Sequence, residues 1–139
     1  MITVFLDSSV FFSAINSPSG RSAKLFTLKT INPITSKLVL VEVERNVRKK
    51  LLDYHLERFF FLAEKIKIVD LIVKQKFINK VEEVIAKKDA VILSQAKQAR
   101  TSFLVTLDKK HFLKAKATKF ISPTKVLTPK DLLQMLERQ

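Results

Sequence analysis

Two short apolar runs, Ile2–Leu6 and residues 103–107, each end directly in an aspartate, Asp7 and Asp108. Each run has five residues, four apolar and one threonine, too few for a helix, and reads as a buried strand. The intervening chain is periodic in the helical sense. Residues 36–50 carry the stripe Val39, Leu40, Val43 and Val47 behind a serine N-cap at Ser36, and residues 89–100 carry Asp89, Ile92, Leu93 and Ala96 at i, i+3, i+4, i+7. Residues 54–65 and 74–85 also read as helix, and Thr128-Pro129-Lys130-Asp131 has the N-cap, proline and early acid of a helix start. Weaker strand signals lie at residues 33–35, 66–73 and 120–121. Residues 13–19, with Asn16 and Pro18, read as loop, after which Ser19 or Gly20 opens a short helix bearing Ala23, Leu25, Phe26 and Leu28. Helices alternating with short buried strands specify an α/β fold with a parallel sheet covered on both faces. At 139 residues the chain is expected to form one domain, residues 1–139.

Several chemistries are excluded by residues the chain lacks. It has no cysteine, and hence no disulfide framework, thiolate zinc site or cysteine nucleophile. Its one glycine, Gly20, cannot build a P-loop, a dinucleotide fingerprint or a nucleophile elbow, each of which needs several residues without a Cβ. The two histidines, His55 and His111, form no metalloprotease pattern. No stretch approaches 18 consecutive apolar residues, and Asp7 has the wrong sign for a secretory signal, so a soluble, cytoplasmic protein without a membrane partner is expected. The net charge of +13 is spread along the chain, which favours polyanionic partners, nucleic acid first.

In so basic a chain the carboxylates are informative by their placement. Parallel strands gather their carboxyl ends along one sheet edge, where ligands of open α/β folds bind, so Asp7 and Asp108 are expected to face one crevice. Asp89 heads the apolar stripe of its helix and points toward the core edge. Singly, each has an ordinary structural explanation: an acid after a strand bonds its own turn, and an acid in a first helical turn complements the dipole. Converging acids repel one another, which a fold tolerates chiefly when a cation lies among them. Glu42 and Glu44 flank the stripe of the 36–50 helix on opposite sides, and periodicity does not choose between them.

With these residues placed, the chain resembles the PIN-domain family of metal-dependent nucleases, which includes VapC-like toxins of toxin–antitoxin pairs. I-T-V-F-L-D-S-S-V at 2–10 resembles the family's opening strand, aspartate and following hydroxyl residue, here Asp7 and Ser9. S-K-L-V-L-V-E-V-E-R at 36–45 resembles its second motif and selects Glu42. D-A-V-I-L-S-Q-A at 89–96 and L-V-T-L-D at 104–108 resemble the third and fourth motifs. Where many relatives carry a further acid, this chain has Lys109, Lys110 and His111, which leaves four acids. The resemblance implies a three-layer α/β/α sandwich around a short, mostly parallel sheet, often as a homodimer.

The expected activity is endoribonuclease cleavage by metal-activated water. Asp7, Glu42, Asp89 and Asp108 would be the catalytic acids, holding one or two Mg2+ or Mn2+ ions, because hard oxygen donors without thiols suit those ions. The hydroxyls of Ser9 and Thr106 would orient a carboxylate or water, Thr106 having ordinary strand packing as its other reading. Arg45, Lys87, Lys88, Lys109 and Lys110 would hold RNA phosphates. His111-Phe112 would stack a base or, for Phe112, fill the core. Phe59, Phe60, Phe61 and Leu62 would pack inward or dock a dimer mate or antitoxin helix. Two alternatives stand beside this reading: a non-catalytic basic RNA-binding or ribosome-associated module, and a haloacid dehalogenase-type phosphatase, whose second acid is replaced by Ser9. A third reading, compatible with the nuclease, makes the chain chiefly one half of a toxin–antitoxin pair.

Overall fold

The computed structural model describes residues 2–70, 87–108, 112 and 115–138, with backbone only for residues 87–89, 115 and 116. Five parallel strands form one sheet in the order β3-β2-β1-β4-β5: β1 (Ile2–Leu6), β2 (Ile31–Ser36), β3 (Lys67–Val69), β4 (Phe103–Val105) and β5 (Lys125–Leu127). The helices are α1 (Ser8–Asn16), α2 (Arg21–Leu25), α3 (Lys37–Lys50), α4 (Asp53–Ala63), α5 (Lys87–Ala99), α6 (Ala115–Ile121) and α7 (Pro129–Glu137). Strand order moves outward from β1 in one direction through β2 and β3, then crosses back to β4 and β5. Right-handed crossovers therefore set α1–α4 on one face and α5 and α6 on the other, giving three layers. The crevice where the direction changes opens at the carboxyl ends of β1 and β4.

Burial follows from that central position. Val4, Phe5 and Leu6 of β1 are fully buried, as are Leu104 and Val105 of β4, because both faces of the sheet are covered. Phe11 anchors α1 by packing edge-on against Phe26, with ring centroids 5.2 Å apart, and against Phe59 of α4 at 5.6 Å. A fully buried aromatic of this kind is worth roughly 1.5–3 kcal/mol, enough to hold α1 and everything at its amino end in register. Phe112 is also fully buried, so of its two readings the core one holds. Phe59 and Leu62 pack inward, whereas Phe60 and Phe61 are exposed. Among the described residues no helix is long and apolar enough to cross a membrane.

Several expectations are corrected. Residues 13–16 are helical, since Val10, Phe11, Ala14 and Ile15 share one buried stripe that outweighs the polar Ser13 and Asn16; loop begins only at Ser17. Residues 120–121 end α6, and the last strand is β5, which pairs with β4. Ile121 is buried as a helical residue, and after the turn at Ser122-Pro123 it is Val126 that reaches the core. The third strand is Lys67–Val69, with Ile66 and Asp70 outside it, and residues 71–73 of the expected run lie outside the described residues. The helix expected over 74–85 lies outside the described residues. Helix α3 begins as expected, the Ser36 hydroxyl accepting the Val39 N–H at 3.2 Å, and Thr128 caps α7 by accepting that of Asp131 at 3.1 Å.

Candidate active site

Asp7 stands one residue beyond β1 and is the N-cap of α1. Its N–H donates to the Val105 carbonyl at 3.0 Å, extending the β1–β4 pairing past the last strand residue and fixing the carboxylate at the head of the crevice. The residue is only 3% exposed. The Ser9 and Thr106 hydroxyls both donate to Asp7 Oδ2, at 2.7 and 2.8 Å. Each hydroxyl is itself aimed by a backbone N–H: that of Leu107 donates to Ser9 Oγ at 3.1 Å, and that of Asp108 to Thr106 Oγ1 at 2.9 Å. With their lone pairs engaged by those amides, the two hydroxyl protons point at one carboxylate oxygen. Oδ1 receives a long 3.4 Å contact from Ser8 Oγ. It is the oxygen better placed to serve the cleft.

Burial raises the Asp7 carboxyl above its ordinary value of 3.8 by desolvating the anion. The bonds from Ser9, Thr106 and the Ser8 backbone act the other way, and the charge of Glu42 adds to the rise. A carboxylate that is buried, hydroxyl-bonded and faced by another acid is costly to ionise, and such costs gather at functional sites.

Glu42 comes to Asp7 from across the cleft. Val39, Val43 and Val47 bury one face of α3, and Glu42, next to Val43, lines the same cleft as Asp7. The carbonyl of Leu6 accepts from the Thr35 hydroxyl at 2.8 Å, tying the end of β2, from which α3 springs, to the end of β1. Glu44 takes the opposite flank and pairs with Arg48 at 3.6 Å on the surface. The alternative left open by periodicity is thereby resolved in space: Glu42, not Glu44, lines the cleft.

A cleft of about 230 Å3 is lined by Asp7, Ser8, Ser9, Phe12, Glu42, Asn46, Lys50 and Asp108. Three of the four expected acids therefore meet there, brought from β1, α3 and the turn after β4. Asp89 lies in the first turns of α5, with its side chain outside the described residues. Arg45 is exposed and lines a neighbouring cleft of about 420 Å3 together with Glu42 and Asn46. The side chains of Lys87 and Lys88 and the whole of Lys109, Lys110 and His111 lie outside the described residues. Asn46 and Lys50 are not among the residues that the sequence singles out. Their signal is spacing alone, since they follow Glu42 at i+4 and i+8 on one helix face.

The donor chemistry of this cleft suits a hard cation: carboxylate and hydroxyl oxygens, with no sulfur or imidazole among the lining residues. Among the described residues no three acids or histidines stand close enough to form a ready coordination shell.

A family model described as PIN domain matches residues 4–117. Among solved structures the fold is similar to VapBC2 from Rickettsia felis bound to a DNA fragment from its promoter, with TM-score 0.71 and 20% identity over 91% of this chain and 98% of that one. It is also similar to a DNA-bound VapBC from Salmonella typhimurium, with TM-score 0.65 and 18% identity over 93% and 99%. A toxin–antitoxin complex from Klebsiella pneumoniae gives TM-score 0.62 and 19% identity over 91% and 97%. Identities this low speak for a shared fold only. No functionally curated protein matches the chain.

Proposed function

Because the chain belongs to the PIN domain family, we propose that it is a divalent-metal-dependent endoribonuclease and the toxin half of a toxin–antitoxin pair. The observation that carries this reading is the convergence of Asp7, Glu42 and Asp108 on the lining of one cleft at the strand-order reversal. Asp7, Glu42, Asp89 and Asp108 are the residues that would hold one or two Mg2+ or Mn2+ ions. When bound there, such an ion would supply Lewis acidity toward the phosphate and lower the pKa of a water nucleophile.

The rest of the work falls to the chain itself. Ser9 and Thr106 lock the Asp7 carboxylate in one orientation, so that no reorganisation is needed on binding. Lys50 in the cleft and Arg45 beside it, with Lys87, Lys88, Lys109 and Lys110, attract and position the phosphates, a role for which a net charge of +13 is suited. Water attacks the phosphodiester in line, the P–O3′ bond breaks, and the products carry a 5′-phosphate and a 3′-hydroxyl. An antitoxin supplying an Arg to the acids would silence the site, and the exposed Phe60 and Phe61 offer apolar surface for an antitoxin helix or a second copy in a homodimer. The printed descriptions of the similar structures as VapBC and toxin–antitoxin complexes support that pairing.

The test is RNA cleavage by purified protein with Mg2+ or Mn2+, with chelator, and with Asp7→Asn. Cutting that needs the ion and Asp7 supports the reading, and cutting that persists in chelator overturns it. Tight RNA binding with no cutting under any ion would favour the non-catalytic RNA-binding module instead.

A further inference from the structure

The catalytic cleft contains one side chain that neither an ion nor a phosphate accounts for. Phe12 is half-buried and is the one aromatic among the described residues that line it. Its direction is set by its neighbour. Phe11 is fully buried against Phe26 and Phe59, and each residue of a helix is turned by about 100° from the last. Phe12 therefore comes out at the rim of α1, packed partly against the core and partly open to the cleft. An aromatic ring offered beside acids, hydroxyls and a lysine suits a ligand with a planar, apolar face.

Asn46 reaches the same cleft from α3. Phe12 follows Ser8 by four residues and Asn46 follows Glu42 by four, one turn or about 6 Å along each helix axis. Ser8 adjoins the buried acid, its Oγ lying 3.4 Å from Asp7 Oδ1. Both side chains thus stand one turn from the acids, the reach from a phosphate across its ribose to the base. The Asn46 amide carries donor and acceptor side by side, a pattern that matches N6 and N7 of adenine. Glu42 and Asn46 also line the neighbouring cleft of Leu38, Val41 and Arg45, so the two clefts meet at Asn46 and leave the strand a way out past Arg45.

We propose that Phe12 and Asn46 bind the base of the nucleotide next to the scissile phosphate, the ring by stacking and the amide by hydrogen bonds to the base edge, with adenine preferred. This placement rests on the nuclease reading, which puts the phosphate over Asp7, and it is tested by binding so that the two can fail separately. Single-stranded RNA presents unpaired bases for contacts of both kinds. Stacking tolerates any base, because each has a π-face, so Phe12 gives affinity and Asn46 gives the choice among bases. Lys50, a further turn along α3, keeps to the phosphate.

The experiment measures anisotropy of labelled single-stranded oligoribonucleotides of equal length with the non-cutting Asp7→Asn protein as parent. The chains carry adenine, cytosine or uracil throughout, or are abasic throughout. Phe12→Leu is expected to weaken binding of every base-bearing chain about tenfold and to leave the abasic chain unaffected. Phe12→Tyr, which keeps the stacking face, should bind like the parent. Asn46→Ala is expected to remove a preference of about tenfold for the adenine chain, again without effect on the abasic one. Neither position neutralises a phosphate, so the salt slope should match that of the parent in both variants.

A Phe12→Leu loss of equal size on the abasic chain marks a packing role and overturns the stacking assignment. A base preference that is missing from the parent, or that survives Asn46→Ala unchanged, overturns the recognition assignment. If the unmodified protein cuts RNA while neither variant distinguishes base-bearing from abasic chains, the base site alone fails. If the variants do distinguish them but the unmodified protein cuts nothing with any ion, the nuclease reading alone fails.

Discussion

Thr106 Oγ1 donates to Asp7 Oδ2 at 2.8 Å, joining the ends of two adjacent strands whose residues stand 99 positions apart in the chain. The same hydroxyl accepts from the Asp108 N–H, so one side chain sets both the buried acid and the turn that carries the next one. Replacing Thr106 with Val keeps the shape and removes both bonds. We expect a 10- to 100-fold loss of kcat, the usual cost of removing a residue that orients a ligating side chain, with Thr106→Ser restoring most of it. The double variant with Ser9→Ala should lose less than the product of the two single losses, because both hydroxyls serve the same oxygen and act as a unit. Steady-state cleavage kinetics and melting curves measured together check this.

Asp7→Asn should abolish cutting and, in chelator at neutral pH, melt at a higher temperature than the unmodified protein. Burial holds the Asp7 carboxyl above its ordinary 3.8, so the folded state binds this proton more tightly than the unfolded chain does. The contribution of this group to stability is therefore present below the ordinary value. It declines as pH rises from there through the raised folded value, and stays lost at neutral pH. Asparagine cannot ionise and can still accept from Ser9 or Thr106. A melting temperature for Asp7→Asn below that of the unmodified protein at pH 7 in chelator would contradict this account.

A divalent ion should reverse that penalty. An ion bound only by the folded protein stabilises it by RT ln(1 + [L]/Kd), about 2.7 kcal/mol at a hundred times the dissociation constant. Mg2+ or Mn2+ should therefore raise the melting temperature of the unmodified protein and flatten its decline between acidic and neutral pH, with little effect on Asp7→Asn. Thermal shift titrations with each ion and with chelator measure it.

Glu42 and Glu44 provide a matched pair two residues apart on one helix. Glu42→Gln removes an acid from the cleft and should cut activity by several orders of magnitude with little change in stability. Glu44→Gln only breaks the exposed pair with Arg48, worth about 0.3–0.5 kcal/mol, and should leave activity intact. Equal losses in the two variants would place the catalytic acid elsewhere on α3.

The contrast between these two glutamates also shows which parts of the fold the sequence makes readable. Asp7 and Asp108 are legible because each interrupts an apolar run, and a parallel sheet sends both strand ends to the same edge. Helical periodicity locates the stripe Val39, Val43 and Val47 but is silent on which flank of it meets Asp7, because that depends on how α3 lies across the sheet. Helix α1 is hidden by Ser13, Asn16 and Pro18, whose turn preference is local, while the burial of Phe11 against Phe26 and Phe59 that decides the matter is not. Strand β5 has three residues and one inward side chain, Val126, too few for a period to show. Lys50 and Asn46 escape a sequence reading for a related reason: a lysine and an asparagine toward a helix end are ordinary until the neighbouring elements close a cleft around them.

Arg100 follows the last residue of α5 with φ 54, the left-handed conformation that ends many helices and that glycine adopts without a Cβ clash. Its N–H donates to the Lys97 carbonyl at 3.2 Å, so the backbone is committed to this turn before β4 begins at Phe103. The strain therefore sits at the hinge that delivers β4, and with it Thr106 and Asp108, to the catalytic edge. Glycine at this position would relieve the clash while adding freedom to the unfolded chain, and the first effect is the larger where φ is positive. Arg100→Gly should raise stability by about 0.5–1 kcal/mol, measured by urea titration with an unchanged m-value, and leave kcat unaltered. Arg100→Val should do the opposite, since a β-branched side chain tolerates this conformation least. A Val variant as stable as the Gly variant would show that the turn at residue 100 is not what fixes the approach of β4.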